Sequence, residues 1–255
     1  MRFARFKQGT RIAYGIVRDG TVEEISSTPF LPYEPTGVAH ALEDIRLLAP
    51  CIPSKVVAIA LNYVDHIAEM GMERPRHPVF FYKPSTSVIG PRDGIVAPPG
   101  CKQLDYEGEL GVVIGSVARK VDVGRWREAV LGFTCAVDAT ARDFQQEDHQ
   151  WGRAKGFDTS APIGPWIETD LEPSRVRLVT RLNGEVKQDG NTSDLVFGVP
   201  ELVAFVTAYV TLLPGDVIMT GTPRGVGPLT PGDELEVEVE GVGTLSVPVR
   251  GISAR

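Results

Sequence analysis

The sequence predicts a mostly β protein with short helices, in the α+β class. Short apolar runs with strand-like alternation recur along the chain, turn residues separate them, and strands do not alternate regularly with helices. The chain has 27 glycines and 20 prolines among 255 residues, which favours many turns between short strands over long helices.

Residues 1–53 are predicted to form a small N-terminal module. Within it, residues 11–25 indicate a hairpin around Asp19-Gly20, because Asp-Gly between alternating apolar runs is typical of a tight turn. A Pro-rich connection follows, and a short helix is expected over residues 38–48. Residues 54–255 then form the main domain.

The main domain is predicted to consist chiefly of strands, at 55–60, 79–82, 106–114, 132–137, 176–182, 216–220, 234–240 and 243–249. Asn183-Gly184 predicts a second tight hairpin. Helices are expected at 62–70, 125–130, 142–151 and 200–212, with Asn62 as the N-cap of the first.

Composition limits the functional classes. A formal net charge of -7 argues against nucleic acid or an anionic membrane as the main partner. The longest apolar stretch, residues 195–219, is interrupted by Pro200, Glu201 and Pro214, short of the roughly 20 residues that a membrane helix needs. The three cysteines lack metal-ligand spacing, and the first residues do not resemble a signal peptide, so a cytoplasmic protein with reduced thiols is expected.

The most informative segment is Asp105-Tyr106-Glu107-Gly108-Glu109. In a strand the three acids would share one face, with alternate residues roughly 6.6 Å apart. Two full charges at that distance repel by about 2.5 kcal/mol at an effective dielectric constant near 20. Either the face is a solvated edge, or a cation neutralises it. Gly108 and Gly111 are poor strand residues and indicate a close approach of backbone or ligand, whereas the apolar residues 110–114 favour a central strand. Both observations favour a cation over a solvated edge.

Asp138, at the end of the predicted strand 132–137, supplies a third acid. Three carboxylates without histidine or cysteine form a hard oxygen site. Such a site suits Mg²⁺ or Mn²⁺, or Ca²⁺, better than Zn²⁺.

Other polar residues are individually weaker candidates. His66 and Glu69 lie on one face of the predicted helix, as a general base with its supporting carboxylate or as a surface pair. The basic and amide side chains that follow Asp138, namely Arg142, Gln145 and Lys155, either bind an anionic substrate or form a solvated helix face. The Gly-rich loop 220–227, with Thr222, is an anion-binding loop or a structural turn.

The order of these motifs resembles the fumarylacetoacetate hydrolase family over roughly residues 55–250. The resemblance rests on Leu61-Asn62-Tyr63-Val64-Asp65-His66, Phe81-Tyr82-Lys83-Pro84, Asp105-Tyr106-Glu107-Gly108-Glu109-Leu110, Asp138-Ala139-Thr140-Ala141-Arg142-Asp143, Lys155-Gly156-Phe157-Asp158, and Leu213-Pro214-Gly215-Asp216-Val217-Ile218-Met219-Thr220-Gly221-Thr222-Pro223. One small departure is Ala60, where many relatives carry glycine.

The resemblance implies a mixed β-sandwich roll, a homodimer, and a catalytic domain over residues 54–255. It implies Mg²⁺ or Mn²⁺ held by Glu107, Glu109 and Asp138, and a lid that carries His66 and Glu69 as catalytic residues. It further implies a catalytic Lys155, and substrate-binding roles for Arg142, Gln145 and Thr222.

The expected substrate is a small 2-oxo acid that chelates the metal, which as a Lewis acid would stabilise an enolate. Among the activities that the resemblance implies, the short chain with its minimal N-terminal module favours one like that of 2-hydroxyhepta-2,4-diene-1,7-dioate isomerase in aromatic-compound catabolism. Acylpyruvate hydrolysis and oxaloacetate decarboxylation stay open as alternatives. A non-catalytic small-molecule-binding protein on the same fold is the alternative from another class.

Overall fold

The computed structural model describes residues 1–251. Five strands form the N-terminal part: β1 (Arg2–Gln8), β2 (Arg11–Arg18), β3 (Thr21–Ile25), β4 (Pro35–Ala41) and β5 (Arg46–Leu48). The next strands are β6 (Lys55–Ala60), β7 (Val79–Pro84), β8 (Val88–Ile89), β9 (Ile95–Val96), β10 (Leu104–Tyr106), β11 (Gly108–Ile114), β12 (Val130–Val137), β13 (Thr140–Ala141) and β14 (Ala161–Glu168). The last are β15 (Arg177–Leu182), β16 (Glu185–Asn191), β17 (Val217–Met219), β18 (Gly227–Pro228), β19 (Glu234–Val239) and β20 (Gly243–Arg250).

The α-helices are short: α1 (Val64–Glu69), α2 (Arg142–Glu147), α3 (Gly152–Lys155) and α4 (Val199–Tyr209). Single 3-10 turns lie at Leu42–Asp44, Ser85–Ser87 and Thr192–Asp194, and a longer 3-10 segment at Val123–Glu128. No helix within residues 1–251 is long and apolar enough to cross a lipid bilayer. The prediction of a mostly β fold with short helices is confirmed.

The strands form three sheets. The largest has twelve strands in the order β4-β3-β2-β1-β14-β12-β11-β17-β6-β7, with β5 added beside β1 and β8 beside β14. A five-stranded sheet has the order β16-β15-β19-β20-β9, and a three-stranded sheet the order β13-β10-β18. Most pairs are antiparallel, but β17–β6, β14–β8 and β20–β9 are parallel, so the sheets are mixed. The N-terminal strands join the large sheet through the β1–β14 pairing.

The main core lies between the twelve-stranded and five-stranded sheets, and α4 packs against it. Leu110 and Val112 of β11 face this core, together with Leu178 of β15 and Val237 of β19. Val113 of the same strand faces a second apolar cluster on the opposite side of the large sheet. This alternation is the one expected of a strand, because successive strand side chains point to opposite faces.

Both predicted hairpins are present. Asp19 and Gly20 have φ values of +45° and +79°, and Asn183 and Gly184 have +53° and +81°. Two successive residues with positive φ match the right-handed twist of the flanking strands, which is why Asp-Gly and Asn-Gly favour such turns.

The helix expected over residues 38–48 is wrong: this segment forms the end of β4, a 3-10 turn and β5. Ala39 and His40 pair with Glu23 and Val22 of β3, so an edge-strand pairing overrides the local pattern. Asn62 is not the N-cap of α1, because Tyr63 occupies that position.

Candidate active site

The three predicted metal ligands converge where two sheets meet. Glu107 lies between β10 and β11, Glu109 is in β11, and Asp138 follows β12. β11 and β12 are antiparallel partners, and the Asp138 N–H donates to the Glu107 carbonyl at 2.9 Å. All three side chains are buried, and one carboxylate oxygen from each lies within 4.8 Å of the others.

The predicted continuous strand 106–114 is interrupted at Glu107, and Gly108 explains why. A Cβ at this position would lie 2.0 Å from Thr180 Oγ1 of β15, so only glycine permits the close approach of the two sheets. The Gly108 N–H also donates to Gln188 Oε1 of β16 at 2.9 Å. The chain therefore changes sheets at the residue that carries the first carboxylate.

Two lysines contact the acidic cluster. Lys155 Nζ, at the end of α3, lies 2.8 Å from Glu107 Oε2 and 2.9 Å from Asp138 Oδ2. Lys83 Nζ, from β7, lies 2.6 Å from the other oxygen of Asp138 and also donates to Ser160 Oγ and to the backbone carbonyl of Lys155. Lys83 is completely buried. It therefore ties a carboxylate of the cluster to the segment that holds Lys155.

Arg142, at the start of α2, holds two acids together. Its Nε donates to Asp105 Oδ2 at 2.8 Å, and one of its terminal nitrogens donates to Glu107 Oε1 at 2.7 Å. The other terminal nitrogen donates to Gln145 Oε1 at 2.7 Å, which leaves the amide nitrogen of Gln145 available for a ligand. In this arrangement Arg142 orients Glu107 and Gln145.

The carboxylates differ in electrostatic environment. Burial acts to raise the pKa of Glu107, but Lys155 and Arg142 outweigh it and lower that pKa to about 2. Burial, followed by the charges of Asp138 and Glu107, raises the pKa of Glu109 well above its ordinary value. The hydrogen bond from the Gly221 N–H to Glu109 Oε2, at 2.6 Å, offsets this only in part.

These observations fit a divalent cation. The donor set is three buried carboxylates, which is the oxygen-only chemistry of Mg²⁺-type sites. Glu109 is repelled by both neighbouring acids, and a cation shared with them would remove that repulsion. The cluster can therefore hold a metal ion.

The predicted histidine–glutamate pair is formed on α1. His66 Nδ1 lies 3.1 Å from Glu69 Oε2, and Glu69 also accepts a hydrogen bond from the Gly225 N–H at 3.0 Å. Thus the loop 220–227 holds Glu69, and Glu69 holds the imidazole. The contact leaves Nε2 as the ring nitrogen available for a proton.

α1 ends in a glycine-based cap. The Met72 N–H donates to the Ile67 carbonyl and the Gly71 N–H to the Ala68 carbonyl, each at 3.1 Å, and Gly71 has a φ of +62°. This pattern is a Schellman motif, in which glycine adopts the left-handed conformation at little cost. The motif determines where Met70 and Met72 lie next to the catalytic candidates.

Loop 220–227 links the segment that precedes α1 to Gly108, which lies between Glu107 and Glu109. Asn62 Nδ2 donates to the Thr220 carbonyl at 2.7 Å and to the Phe197 carbonyl at 3.1 Å, so its side chain crosslinks segments rather than capping α1. Thr222 Oγ1 donates to the Gly108 carbonyl at 2.9 Å and accepts from Gln188 Nε2 at 2.8 Å. Its hydroxyl hydrogen is therefore already engaged within the protein.

A single cavity of about 350 Å³ brings these groups together. Its lining includes eight of the nine predicted site residues: His66, Glu107, Glu109, Asp138, Arg142, Gln145, Lys155 and Thr222. The ninth, Glu69, is not among the lining residues and contacts the Nδ1 atom of His66. The remaining lining residues are Ile59, Ala60, Leu61, Met70, Met72, Phe81, Gln146 and Trp151.

Residues 55–250 match the family model described as the fumarylacetoacetate hydrolase C-terminal domain. The chain belongs to the fumarylacetoacetate hydrolase family. Residues 1–50 match a separate family model, the Rv2993c-like N-terminal domain. The resemblance predicted from the motifs is confirmed.

Several members of the fumarylacetoacetate hydrolase family are close relatives. Protein Rv2993c of Mycobacterium tuberculosis is 44% identical over 98% of both chains. The human mitochondrial oxaloacetate tautomerase FAHD2A is 41% identical over 79% of this chain and 68% of that protein. The crystal structure of 2-hydroxyhepta-2,4-diene-1,7-dioate isomerase from Mycobacterium marinum is 40% identical, with a TM-score of 0.92 over the whole of both chains.

Sequence reasoning missed Lys83 as a site residue, although it lies within the quoted motif Phe81-Tyr82-Lys83-Pro84. Its signal was a lysine within an apolar strand segment. Asp105, the partner of Arg142, is a further residue of the site that the spacing of the acidic segment does not separate from the metal ligands.

Proposed function

We propose that the protein is a divalent-metal-dependent enzyme that acts on a small 2-oxo acid through an enolate. The observation that carries the proposal is that His66, supported by Glu69, and the three-carboxylate cluster line the same cavity. The His66–Glu69 pair is suited to move a proton, and the carboxylate cluster is suited to hold the cation next to the substrate oxygens.

The charges of the site support an anionic substrate. Four acids meet three basic side chains, which leaves one negative charge when all are ionised: Asp105, Glu107, Glu109 and Asp138 with Lys83, Arg142 and Lys155. A divalent cation would reverse this to one positive charge. The complete site then attracts a carboxylate.

Each residue has a defined role in this proposal. Glu107, Glu109 and Asp138 hold Mg²⁺ or Mn²⁺, which when bound supplies Lewis-acid stabilisation of negative charge on the 2-oxo oxygen. Lys155 adds positive charge beside the same cluster. His66 exchanges a proton with the carbon next to the oxo group or activates water. Gln145 orients the substrate through its amide nitrogen, and Arg142 positions Glu107 and Gln145 while contributing charge. Thr222 contacts the substrate as part of the cavity lining, since its hydroxyl hydrogen is held by the Gly108 carbonyl.

Isomerisation is the form of the reaction that the relatives favour. A tautomerase of oxaloacetate and an isomerase of a 2-hydroxydienoate both transfer a proton in conjugation with an oxygen at C2. Proton transfer needs only the base and the stabilised oxygen. Hydrolysis of an acylpyruvate requires in addition an attacking water, and decarboxylation of oxaloacetate requires loss of its second carboxylate; both share the enolate.

Metal dependence is tested by calorimetry. Glu107→Gln with Glu109→Gln should abolish binding of Mg²⁺ and Mn²⁺, whereas Glu43→Gln, an exposed acid distant in sequence, should leave it unchanged. Binding that survives in the double variant rejects the assignment of these ligands.

The base is tested by turnover. His66→Gln should lose most activity on 2-oxo acids while retaining metal affinity, because the imidazole is not among the metal ligands. Turnover within a few-fold of the wild-type value would reject the role of His66. No chelator-sensitive activity on any 2-oxo acid would favour the non-catalytic binding protein.

The homodimer and the cytoplasmic location expected from the sequence remain proposals. For the homodimer, support comes from β7, an edge strand of the large sheet, and from the aromatic residues beside it. Phe80 contacts Tyr82 and Phe205, and Tyr82 and Tyr209 are 48% and 71% exposed. Light scattering at micromolar concentration tests the state, and a monomer would reject it.

A further inference from the structure

We propose that the substrate carries an uncharged, apolar substituent on the far side of its 2-oxo group, so that the site prefers 2-oxo monocarboxylates over longer diacids. The inference rests on the proposed function and concerns the outer part of the same cavity. It distinguishes acylpyruvates with alkyl or aryl tails from dioates such as the hepta-diene-dioate.

The cavity has a charged floor and an apolar wall. The three metal-ligand candidates are at most 6% exposed, whereas Met70 and Met72 are 44% and 51% exposed. The methionines therefore lie at the mouth, and the carboxylates at the bottom. Most of the wall is apolar, with Gln146 as its polar member; the large apolar side chains are Ile59, Leu61, Met70, Met72, Phe81 and Trp151.

The aromatic part of the wall begins beside the charged floor. Phe81 and Trp151 pack edge to face, with ring centroids 5.5 Å apart. Lys155 Nζ lies 5.2 Å from the centre of the Phe81 ring, and the Lys155 N–H donates to the Trp151 carbonyl at 2.9 Å. A substituent that extends from the floor past Lys155 therefore meets these rings.

The wall offers no cation for a second carboxylate. Among the described lining residues, Arg142 and Lys155 are the lysine and arginine side chains, and both contact the acids of the floor. Arg74 donates to the Val196 carbonyl, and Arg153 pairs with Glu147 and Asp148; neither lines the cavity. A carboxylate placed against the wall would lose hydration without gaining a positively charged partner.

The charge of the floor leads to the same preference independently. With a divalent cation bound, the floor carries one net positive charge, which the carboxylate next to the 2-oxo group neutralises. A second carboxylate on the tail would add a negative charge that neither Arg142 nor Lys155 is free to neutralise, because both contact the acids of the floor.

The methionines and the volume of the cavity indicate a small tail of variable shape. Methionine side chains are unbranched and adapt to different ligands. The cavity, about 350 Å³, is near the lower limit for small-ligand sites, so the head and a short tail fill it.

The test compares three compounds with the wild-type enzyme and Mg²⁺: hexanoylpyruvate, its analogue with a terminal carboxylate, and oxaloacetate, a short diacid without an acyl tail that serves as a test of the proposed function alone. We expect kcat/KM for hexanoylpyruvate to exceed that of the carboxylate analogue by at least about tenfold, the ratio that one unfavourable buried charge readily produces. Equal values, or a preference for the carboxylate analogue while turnover stays chelator-sensitive, would overturn this inference and leave the proposed function intact. Absence of chelator-sensitive turnover of all three would overturn both.

A gain of charge tests the wall directly. Met72→Arg places a cation at the mouth and should shift the ratio about tenfold towards the carboxylate analogue. Val64→Arg adds the same charge to helix α1, which directly precedes the Met72 segment, at a residue that is 55% exposed and does not line the cavity, so it should leave the ratio unchanged. An unchanged ratio in Met72→Arg, with normal thermal unfolding, would contradict the placement of the tail.

Discussion

Replacing Glu109 with glutamine should stabilise the metal-free protein. The pKa of Glu109 is raised by burial and then by the charges of Asp138 and Glu107. Whether the side chain stays ionised beside its neighbours or takes up a proton that it lacks in the unfolded chain, the native state is destabilised relative to the unfolded chain. Glutamine keeps the shape and removes the charge.

The magnitude follows from the geometry of the cluster. Ligand oxygens no more than 4.8 Å apart repel by at least about 3.5 kcal/mol per pair at an effective dielectric constant near 20. The hydrogen bond from Gly221 weakens on substitution, by about 1 to 2 kcal/mol, and Lys155 screens part of the repulsion. We therefore expect a net gain of about 2 kcal/mol, or roughly 4 to 8 °C in Tm for a chain of this size.

The assay is thermal unfolding in chelator and then in Mg²⁺ or Mn²⁺. In chelator, Glu109→Gln should melt above the wild type. With cation at a hundredfold excess over Kd, the wild type should gain about 2.7 kcal/mol by mass action, and the variant should gain little. Glu43→Gln, an exposed acid, provides the control for the loss of one negative charge and should match the wild type in both conditions.

Two results would refute this reasoning. A Glu109→Gln protein that melts below the wild type in chelator would show that the carboxylates do not repel one another. Equal stabilisation of both proteins by the cation would show that Glu109 is not a ligand.

Three further predictions concern pH and two buried charges. In chelator, the free energy of unfolding of the wild type should fall as pH rises from 4.5, the ordinary pKa of Glu109, towards the raised pKa of that residue in the folded protein. It should also fall as pH drops from 4.5 towards the lowered pKa of Glu107, about 2. Urea titrations at a series of pH values measure both effects. Asp216→Asn should cost about 3 kcal/mol in the same titrations at pH 7, because Asp216 is fully buried and accepts from Lys55 Nζ, Ser54 and the Leu213 N–H. Lys83→Met should bind Mn²⁺ about tenfold more tightly by calorimetry, because the substitution removes a positive charge beside Asp138. It should turn over substrate more slowly, because Lys83 also holds the segment that carries Lys155. Weaker binding of Mn²⁺ would contradict the electrostatic account.

Local signals were sufficient for several elements of the fold. The hairpins at Asp19-Gly20 and Asn183-Gly184 depend on adjacent residues with positive φ, and the alternation of β11 depends on side chains two positions apart. Residues 38–48 were predicted wrongly because their conformation depends on pairing with β3, which the local pattern does not contain.

For the candidate site, too, the features that depend on neighbouring residues could be predicted, and those that depend on contacts between distant segments could not. Spacing alone placed Glu107 and Glu109 together but left a solvated edge as an alternative, and burial of both side chains now excludes that alternative. Lys83 escaped detection because its partner, Asp138, follows a different strand of the large sheet. The interruption at Glu107 depends on Thr180 of another sheet, and no pattern within residues 105–114 reports that contact.

The net charge of -7 is a poor guide to the charge of the substrate, and the cavity explains why. The acids that contribute to the net charge include four that are buried beside Lys83, Arg142 and Lys155. A buried cluster of both signs acts on a ligand through its local balance, whereas exposed charges are screened within about 8 to 10 Å in physiological salt. Because one divalent cation changes the sign of that balance, the same residues that repel an anion without metal attract one carboxylate with it, and substrate binding should depend on the metal.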